Sequence, residues 1–153
     1  MNGSTVYMES PLGFLEIRAS SKGVTEVKFV KNAGLEINGS PLTEEAVKQL
    51  KEYFDGQRRT FEIKLDIKGT DFQLKVWKGL MDIPYGHTWS YKELASYIDN
   101  PKAIRAVGGA NNKNPVSILI PCHRVIGANG KLVGYGGGLE KKQWLLNHEK
   151  QNT

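Results

Sequence analysis

Ile118-Leu119-Ile120-Pro121-Cys122-His123-Arg124-Val125-Ile126 holds the only cysteine of a 153-residue chain, set between two apolar runs and beside a histidine and an arginine. A buried, strand-like run that stops at a proline and then presents a thiol has two readings. A lone cysteine in apolar surroundings is most often an inert small core residue. A core cysteine has no use for His123 and Arg124 next to it, however, because both polar side chains would need buried partners. The thiolate is the nucleophile, and cationic or hydrogen-bonding neighbours lower the thiol pKa. His123 and Arg124 are candidates for that environment, so the stretch reads as a reactive site. Adjacent side chains diverge, and His123 is expected to reach Cys122 through a bridging water or another group.

Upstream, Asn111-Asn112-Lys113-Asn114-Pro115 is a polar, turn-rich run joining the thiol segment to a helix. That helix is predicted to start at Pro101, with Asn100 as N-cap, and to run through Ile104 and Val107 to about Asn112. Before it, Ser90-Tyr91-Lys92-Glu93 is a capping box opening a helix that carries Leu94, Ala95 and Ile98. Two short helices joined by a few residues have helix-turn-helix character. Phe72, Val76, Leu80 and Ile83 share one face of an earlier helix, which ends at Pro84-Tyr85-Gly86. Downstream, residues 139–150 read as a last helix with Trp144, Leu145 and His148.

Lys68-Gly69-Thr70 marks a boundary that divides residues 1–67 from 68–153. In the first part, residues 5–8, 14–19 and 24–30 are strand-like and separated by turn signals, an antiparallel meander. Residues 43–55 place Val47, Leu50 and Phe54 at helical spacing, and residues 60–67 return to alternation. The fold class is α+β: a small N-terminal antiparallel sheet plus helix, then a mostly helical C-terminal domain with a helix-turn-helix.

Composition excludes several classes. With 39% hydrophobic and 24% charged residues the chain is an ordinary globular protein. No apolar run approaches the roughly 20 residues that span a bilayer. The first thirty residues carry Glu9, Glu16, Arg18, Lys22, Glu26 and Lys28 and lack a signal-peptide core. One cysteine cannot close an intrachain disulfide, so a reducing, cytoplasmic location is expected. A monomeric chain with no membrane partner is expected as well. Cys122, His87, His123 and His148 are not at metal-site spacing, and no metal is expected.

Charge is uneven. Residues 1–100 hold 13 Lys/Arg against 14 Asp/Glu, a net of −1, whereas residues 101–153 hold 8 against 2, a net of +6. A basic field around the thiol suggests an anionic partner. The second helix of the pair adds to this. Ala103, Ala106, Gly108, Gly109 and Ala110 make it nearly bald, and two glycines cost it roughly 2 kcal/mol of helix propensity. A helix about 10–12 Å across enters a minor groove about 6 Å wide only if the groove widens and its own side chains are short. Arg105 is the one long side chain on that surface, suited to probe between bases and fill the gap an extruded nucleotide leaves. The alternative is that Gly108 and Gly109 merely permit tight packing against another helix.

Arg105-Ala106-Val107-Gly108-Gly109-Ala110, Asn114-Pro115, Pro121-Cys122-His123-Arg124-Val125, Gly134-Tyr135-Gly136-Gly137-Gly138-Leu139, Trp144-Leu145-Leu146 and His148-Glu149 together resemble the O6-alkylguanine-DNA alkyltransferases. The resemblance is dense over residues 70–150 and weaker in the N-terminal part, through Ser10-Pro11-Leu12-Gly13. It implies a ribonuclease H-like N-terminal domain and a direct-reversal repair protein whose partner is double-stranded DNA carrying alkylated guanine. The helix pair would enter the minor groove with Arg105 as finger, and Asn100, Ala106, Gly108 and Gly109 would lie against the DNA. The alkyl group lies inside the stack, so the base must be extruded. By the same resemblance Cys122 takes the alkyl group, and Glu149 and His123 hold a water that carries off its proton. Asn114 would orient the thiol segment. Tyr91 would assist rotation of the nucleotide and hydrogen-bond the departing guanine. Backbone groups near Val125, Tyr135 and Gly136 would line the base pocket. No cofactor is implied. Gly136 stands where some relatives carry serine, which leaves only a backbone N–H for the lesion oxygen. Three rivals are a non-catalytic binder of alkylated DNA, a helix-turn-helix regulator and a cysteine hydrolase using Cys122, His123 and Glu149. The presence of Cys122 opposes the first and the bareness of the second helix opposes the second.

Overall fold

The computed structural model describes residues 3–153. They form two compact units, one holding the chain up to Ile67 together with Pro115–Leu119, the other Lys68–Asn114 with Ile120–Thr153. In the first, β1 (Ser4–Ser10), β2 (Gly13–Ala19) and β3 (Val24–Val30) make an antiparallel meander in the order β1-β2-β3. Alternation decides which face is buried: Leu15, Ile17 and Ala19 of β2 point into the core. Helix α1 (Pro41–Phe54) is opened by Ser40, whose side chain accepts from Thr43 N–H while the Thr43 hydroxyl accepts from Ser40 N–H. It lays Ala46, Leu50 and Tyr53 into the core beside β1 and β2.

Residues 60–67 form no strand. Their backbone groups are taken otherwise: the Gln49 side chain clamps Glu62, accepting from its N–H at 2.9 Å and donating to its carbonyl at 3.2 Å. Only one parallel bridge, Val24 to Leu65, joins them to the sheet. A second departure concerns residues 115–119, expected with the C-terminal domain but held by the first unit. Val27 N–H donates to the Pro115 carbonyl at 2.9 Å and Ser117 N–H donates to the Val27 carbonyl at 3.0 Å. The apolar run after them is buried as expected but is no strand. Ile118 has φ +73 and begins a turn, a conformation that is rare for a β-branched residue.

In the second unit, Thr70 caps α2 (Asp71–Leu80), which buries Val76, Trp77 and Leu80. Ile83, expected on its face, lies past its end, in a turn closed by Ile83 N–H on the Leu80 carbonyl at 3.1 Å. The Trp77 indole N–H donates to the Ala110 carbonyl at 2.9 Å, which fixes α2 against α4 (Ile104–Asn112). Ser90 and Glu93 form the expected capping box of α3 (Tyr91–Tyr97). The start of α4 does not follow the sequence reading. Asn100 N–H closes the end of α3 on the Ala95 carbonyl at 2.9 Å, and the Asn100 carbonyl accepts from Ala103 N–H at 3.0 Å. Asn100-Pro101-Lys102-Ala103 is therefore a β-turn with proline at its second position, where its fixed φ is equally at home. The helix begins at Ile104 with no side-chain cap. Strands β4 (Trp89–Ser90) and β5 (Val125–Ile126) pair in parallel, Trp89 with Val125, so the first residue of α3 lies beside the chain that leaves Cys122. Helix α5 (Leu139–Gln151) turns Lys142, Leu145 and Glu149 inward. Among the described residues no helix is long and apolar enough to cross a membrane.

Candidate active site

Cys122 opens a single 3-10 turn, Cys122–Arg124, held by Arg124 N–H on the Pro121 carbonyl at 3.0 Å. The turn throws Cys122 and His123 to different sides. His123 Nε2 lies 2.6 Å from Glu149 Oε2, and both side chains are buried. Arg124 reaches the same carboxylate twice, Nε to Oε1 at 2.8 Å and Nη2 to Oε2 at 3.1 Å, and its Nη1 donates to the Ile83 carbonyl at 2.7 Å. The carboxylate is thus the hub. Burial alone would raise its pKa, but hydrogen bonds from His123 and Arg124 hold it well below the ordinary carboxylate range. Burial lowers the pKa of His123 below its ordinary value, against the pull of Glu149, which favours the neutral ring. With Nε2 donating to Glu149, its bare lone pair is on Nδ1. Among the described residues Nδ1 meets no hydrogen-bonding group and is buried.

The expectation that His123 and Arg124 lower the thiol pKa is not met, because both are spent on Glu149. Burial pushes the Cys122 thiol up, and what opposes this is the Asn114 side chain and Lys142. Asn114 also donates to the Ile120 carbonyl at 2.8 Å, which ties the segment carrying the thiol to the end of α4. Tyr91, at the start of α3, donates its hydroxyl to the Val133 carbonyl at 3.0 Å. Burial raises its pKa and Cys122 adds to that, so it stays a protonated donor.

Sequence reasoning missed two residues. Lys142 is fully buried and donates to the carbonyls of Val125 and Val133. Burial lowers its pKa to about 8, against the attraction of Cys122. The signal was present, since Lys142, Leu145 and Glu149 share one helical face. Asn111 is buried on α4 and donates to the Cys122 carbonyl at a long 3.4 Å; its signal in the sequence is its place one helical turn after Val107, on the same buried face.

The bare helix is bare outward. A Cβ on Gly109 would meet nothing within 4 Å, and one on Gly108 would touch the Tyr91 ring at an ordinary 3.8 Å. Neither glycine is there to let another helix of this chain come close. Arg105 and Ala106 are exposed on the same helix. Asn100 is exposed too, in the turn before it and not as its cap.

The family model for the DNA-binding domain of 6-O-methylguanine DNA methyltransferase matches residues 71–151, and that for its ribonuclease-like domain matches residues 5–67. The chain belongs to the O6-alkylguanine-DNA alkyltransferases. It is 47% identical to a methylated-DNA–protein-cysteine methyltransferase of Methanosarcina barkeri, over 95% of this chain and 96% of that one. A crystal structure of the Mycobacterium tuberculosis O6-methylguanine methyltransferase superposes with a TM-score of 0.89 at 42% identity, covering 99% of this chain and 94% of that one. A complex of the M. tuberculosis protein with DNA superposes with a TM-score of 0.85 at 43% identity, covering 96% of this chain and 92% of that one. As an O6-alkylguanine-DNA alkyltransferase the protein repairs DNA by direct reversal, moving an alkyl group from O6-alkylguanine to a cysteine of its own. Around that cysteine the alkyltransferase brings Cys122, His123, Glu149, Asn114, Tyr91 and Val125 into one unit. Tyr135 and Gly136 stand in the chain between β5 and α5, where the Tyr135 carbonyl accepts from Gly138 N–H at 3.0 Å. Among the described residues no group of three or more His, Cys, Asp and Glu side chains is placed to hold a metal.

Proposed function

We propose that Cys122 is the alkyl acceptor and that it meets a guanine extruded from duplex DNA through the minor groove. The carrying observation is the buried His123, anchored by Glu149 on one nitrogen and, among the described residues, unpartnered on the other, next to the only cysteine of the chain. A water between Cys122 and His123 Nδ1 satisfies a buried acceptor and bridges two side chains that diverge. The thiol proton passes through that water to Nδ1, and the anionic Glu149 stabilises the imidazolium formed. Sulfur attacks the alkyl carbon in line with the C–O6 bond. The S–C bond forms as C–O6 breaks, and the electron pair returns to guanine, whose departing charge Tyr91 relieves by hydrogen bonding. Burial keeps the resting residue a neutral thiol, so the thiolate is made only as the relay accepts its proton.

Arg105 takes the space of the extruded nucleotide, and Ala106, Gly108 and Gly109 let the α4 backbone approach the groove. The backbone of Val125, Tyr135 and Gly136 lines the base pocket. The product is a thioether, which offers no carbonyl for a tetrahedral intermediate, so each molecule acts once. The protein works as a monomer, without cofactor or metal.

Intact-mass measurement after incubation with duplex DNA bearing O6-methylguanine tests this. One methyl per molecule, mapped to Cys122 and absent in Cys122→Ala, is expected. Turnover beyond one equivalent would overturn the reading.

A further inference from the structure

The Val133 carbonyl accepts two hydrogen bonds, from the Tyr91 hydroxyl at 3.0 Å and from Lys142 Nζ at 2.8 Å. It lies in residues 127–138, which join β5 to α5 with no regular structure beyond one 3-10 turn, Ala128–Gly130. This segment passes close over the start of α3 and the end of α4. A Cβ on Gly134, whose φ is +60, would stand 2.9 Å from Asn112 Oδ1 and 3.3 Å from the Tyr91 hydroxyl, a crowded left-handed position that favours glycine. Lys142 reaches Val133 from α5 and, with the same ammonium, holds the Val125 carbonyl of β5. A fully buried ammonium is expensive to keep, and here it donates to two main-chain carbonyls on the two walls assigned to the base pocket.

A phenol has one proton to donate. Tyr91 cannot give it to Val133 and to a base at the same time. We propose that the Val133 carbonyl is a latch: Tyr91 holds it in the DNA-free protein and hands its hydrogen bond to the extruded purine, while Lys142 keeps hold of the same carbonyl and so keeps the pocket wall in register. The hand-over leaves the carbonyl with a partner, because a carbonyl with two lone pairs that loses Tyr91 still has Lys142. Lys142 is then a positioning residue that acts through Val125 and Val133. The inference rests on the function proposed above, in which Tyr91 serves the departing guanine.

Hydrogen–deuterium exchange of residues 131–138 in the DNA-free protein tests the latch apart from the chemistry. Tyr91→Phe removes the latch but keeps the ring, and should speed exchange there roughly two- to tenfold, the change in an opening equilibrium expected from one lost hydrogen bond. Other segments should exchange as in the wild type. Lys142→Met should loosen the same segment and lower the single-turnover rate at saturating DNA about tenfold or more while the apparent Kd for DNA stays within about twofold. Wild-type exchange in Tyr91→Phe overturns the latch, and does so even if Lys142→Met fails to fold. A Lys142→Met defect confined to Kd overturns the positioning role. Faster exchange in Tyr91→Phe with wild-type alkyl transfer supports the latch and overturns the role of Tyr91 toward the departing base.

Discussion

At the scale of single residues, Glu149 decides most about this site, because three groups depend on it: the tautomer of His123, the direction of Arg124 and the charge balance of a buried pocket. Glu149→Gln leaves Arg124 buried without its anion, and breaking one partner of such a set costs about 3–5 kcal/mol. Urea unfolding should register that loss, and the alkyl-transfer rate should fall with it. The same group sets an acid limit. Its folded pKa is depressed, so the unfolded chain binds the proton more readily, and stability is present above the ordinary carboxylate value of 4.5 and lost as pH falls below it. His123 acts in the same direction from its ordinary 6.5 downward, since burial lowers its pKa in the fold. Stability measured by urea should therefore decline in two stages on acidification, and Glu149→Gln should flatten the lower one. Thiol chemistry gives the opposite window. Because burial raises the Cys122 pKa above its ordinary 9.0, labelling by iodoacetamide should be slow at neutral pH and still be rising beyond pH 9. A plateau below that pH would mean a thiolate stabilised at rest, and no need for the His123 relay.

At the scale of elements, α4 separates stability from function. Gly109 sits in helical backbone with open space where a side chain would go. Gly109→Ala should therefore stabilise the fold by up to about 1 kcal/mol, the propensity difference between the two residues. The added methyl also stands on the surface assigned to the groove, so repair of duplex DNA should slow several-fold while the thermal midpoint rises. Slower repair with a lower midpoint would return Gly109 to a packing role. The elements also show what was legible in the chain. The meander and the capping box of α3 close within a few residues of their own sequence, so local spacing is enough to find them. Asn100-Pro101 is ambiguous in sequence because the same dipeptide serves a helix start and a turn, and the carbonyl of Ala95 on the helix before decides between them. Residues 60–67 have the alternation of a strand, but the Gln49 side chain occupies the backbone groups of Glu62, and the pairing with the sheet stops at the bridge of Leu65 with Val24. For the site, the Cys122-His123 pair and Glu149 were visible by motif. The burial of Lys142 is hinted at by its place on the Leu145-Glu149 face, but what holds a lysine in the interior is carbonyls that are distant in sequence.

For the molecule as a whole, charge is what turns a helix pair into a DNA-binding surface. The excess of +6 falls in residues 101–153, and the other hundred residues are close to neutral. Not all of it is free to act on phosphate. Arg124 is consumed by Glu149 and Lys142 by two carbonyls, both buried. Lys102 and Lys113, by contrast, are exposed and flank α4 at its two ends. These two are the cations to expect on the DNA backbone, with Arg105 between them set aside for the stack. Replacing Lys102 or Lys113 by Gln should weaken binding to any duplex uniformly and reduce the slope of log Kd against log salt by about 1 each. Arg105→Ala should instead leave that slope nearly unchanged and slow repair in duplex DNA far more than reaction with the free alkylated base, since the free base needs no extrusion. Equal slowing on both substrates, or a slope change as large as that of the lysines, would make Arg105 one more phosphate contact and remove the reason for a bare helix around it.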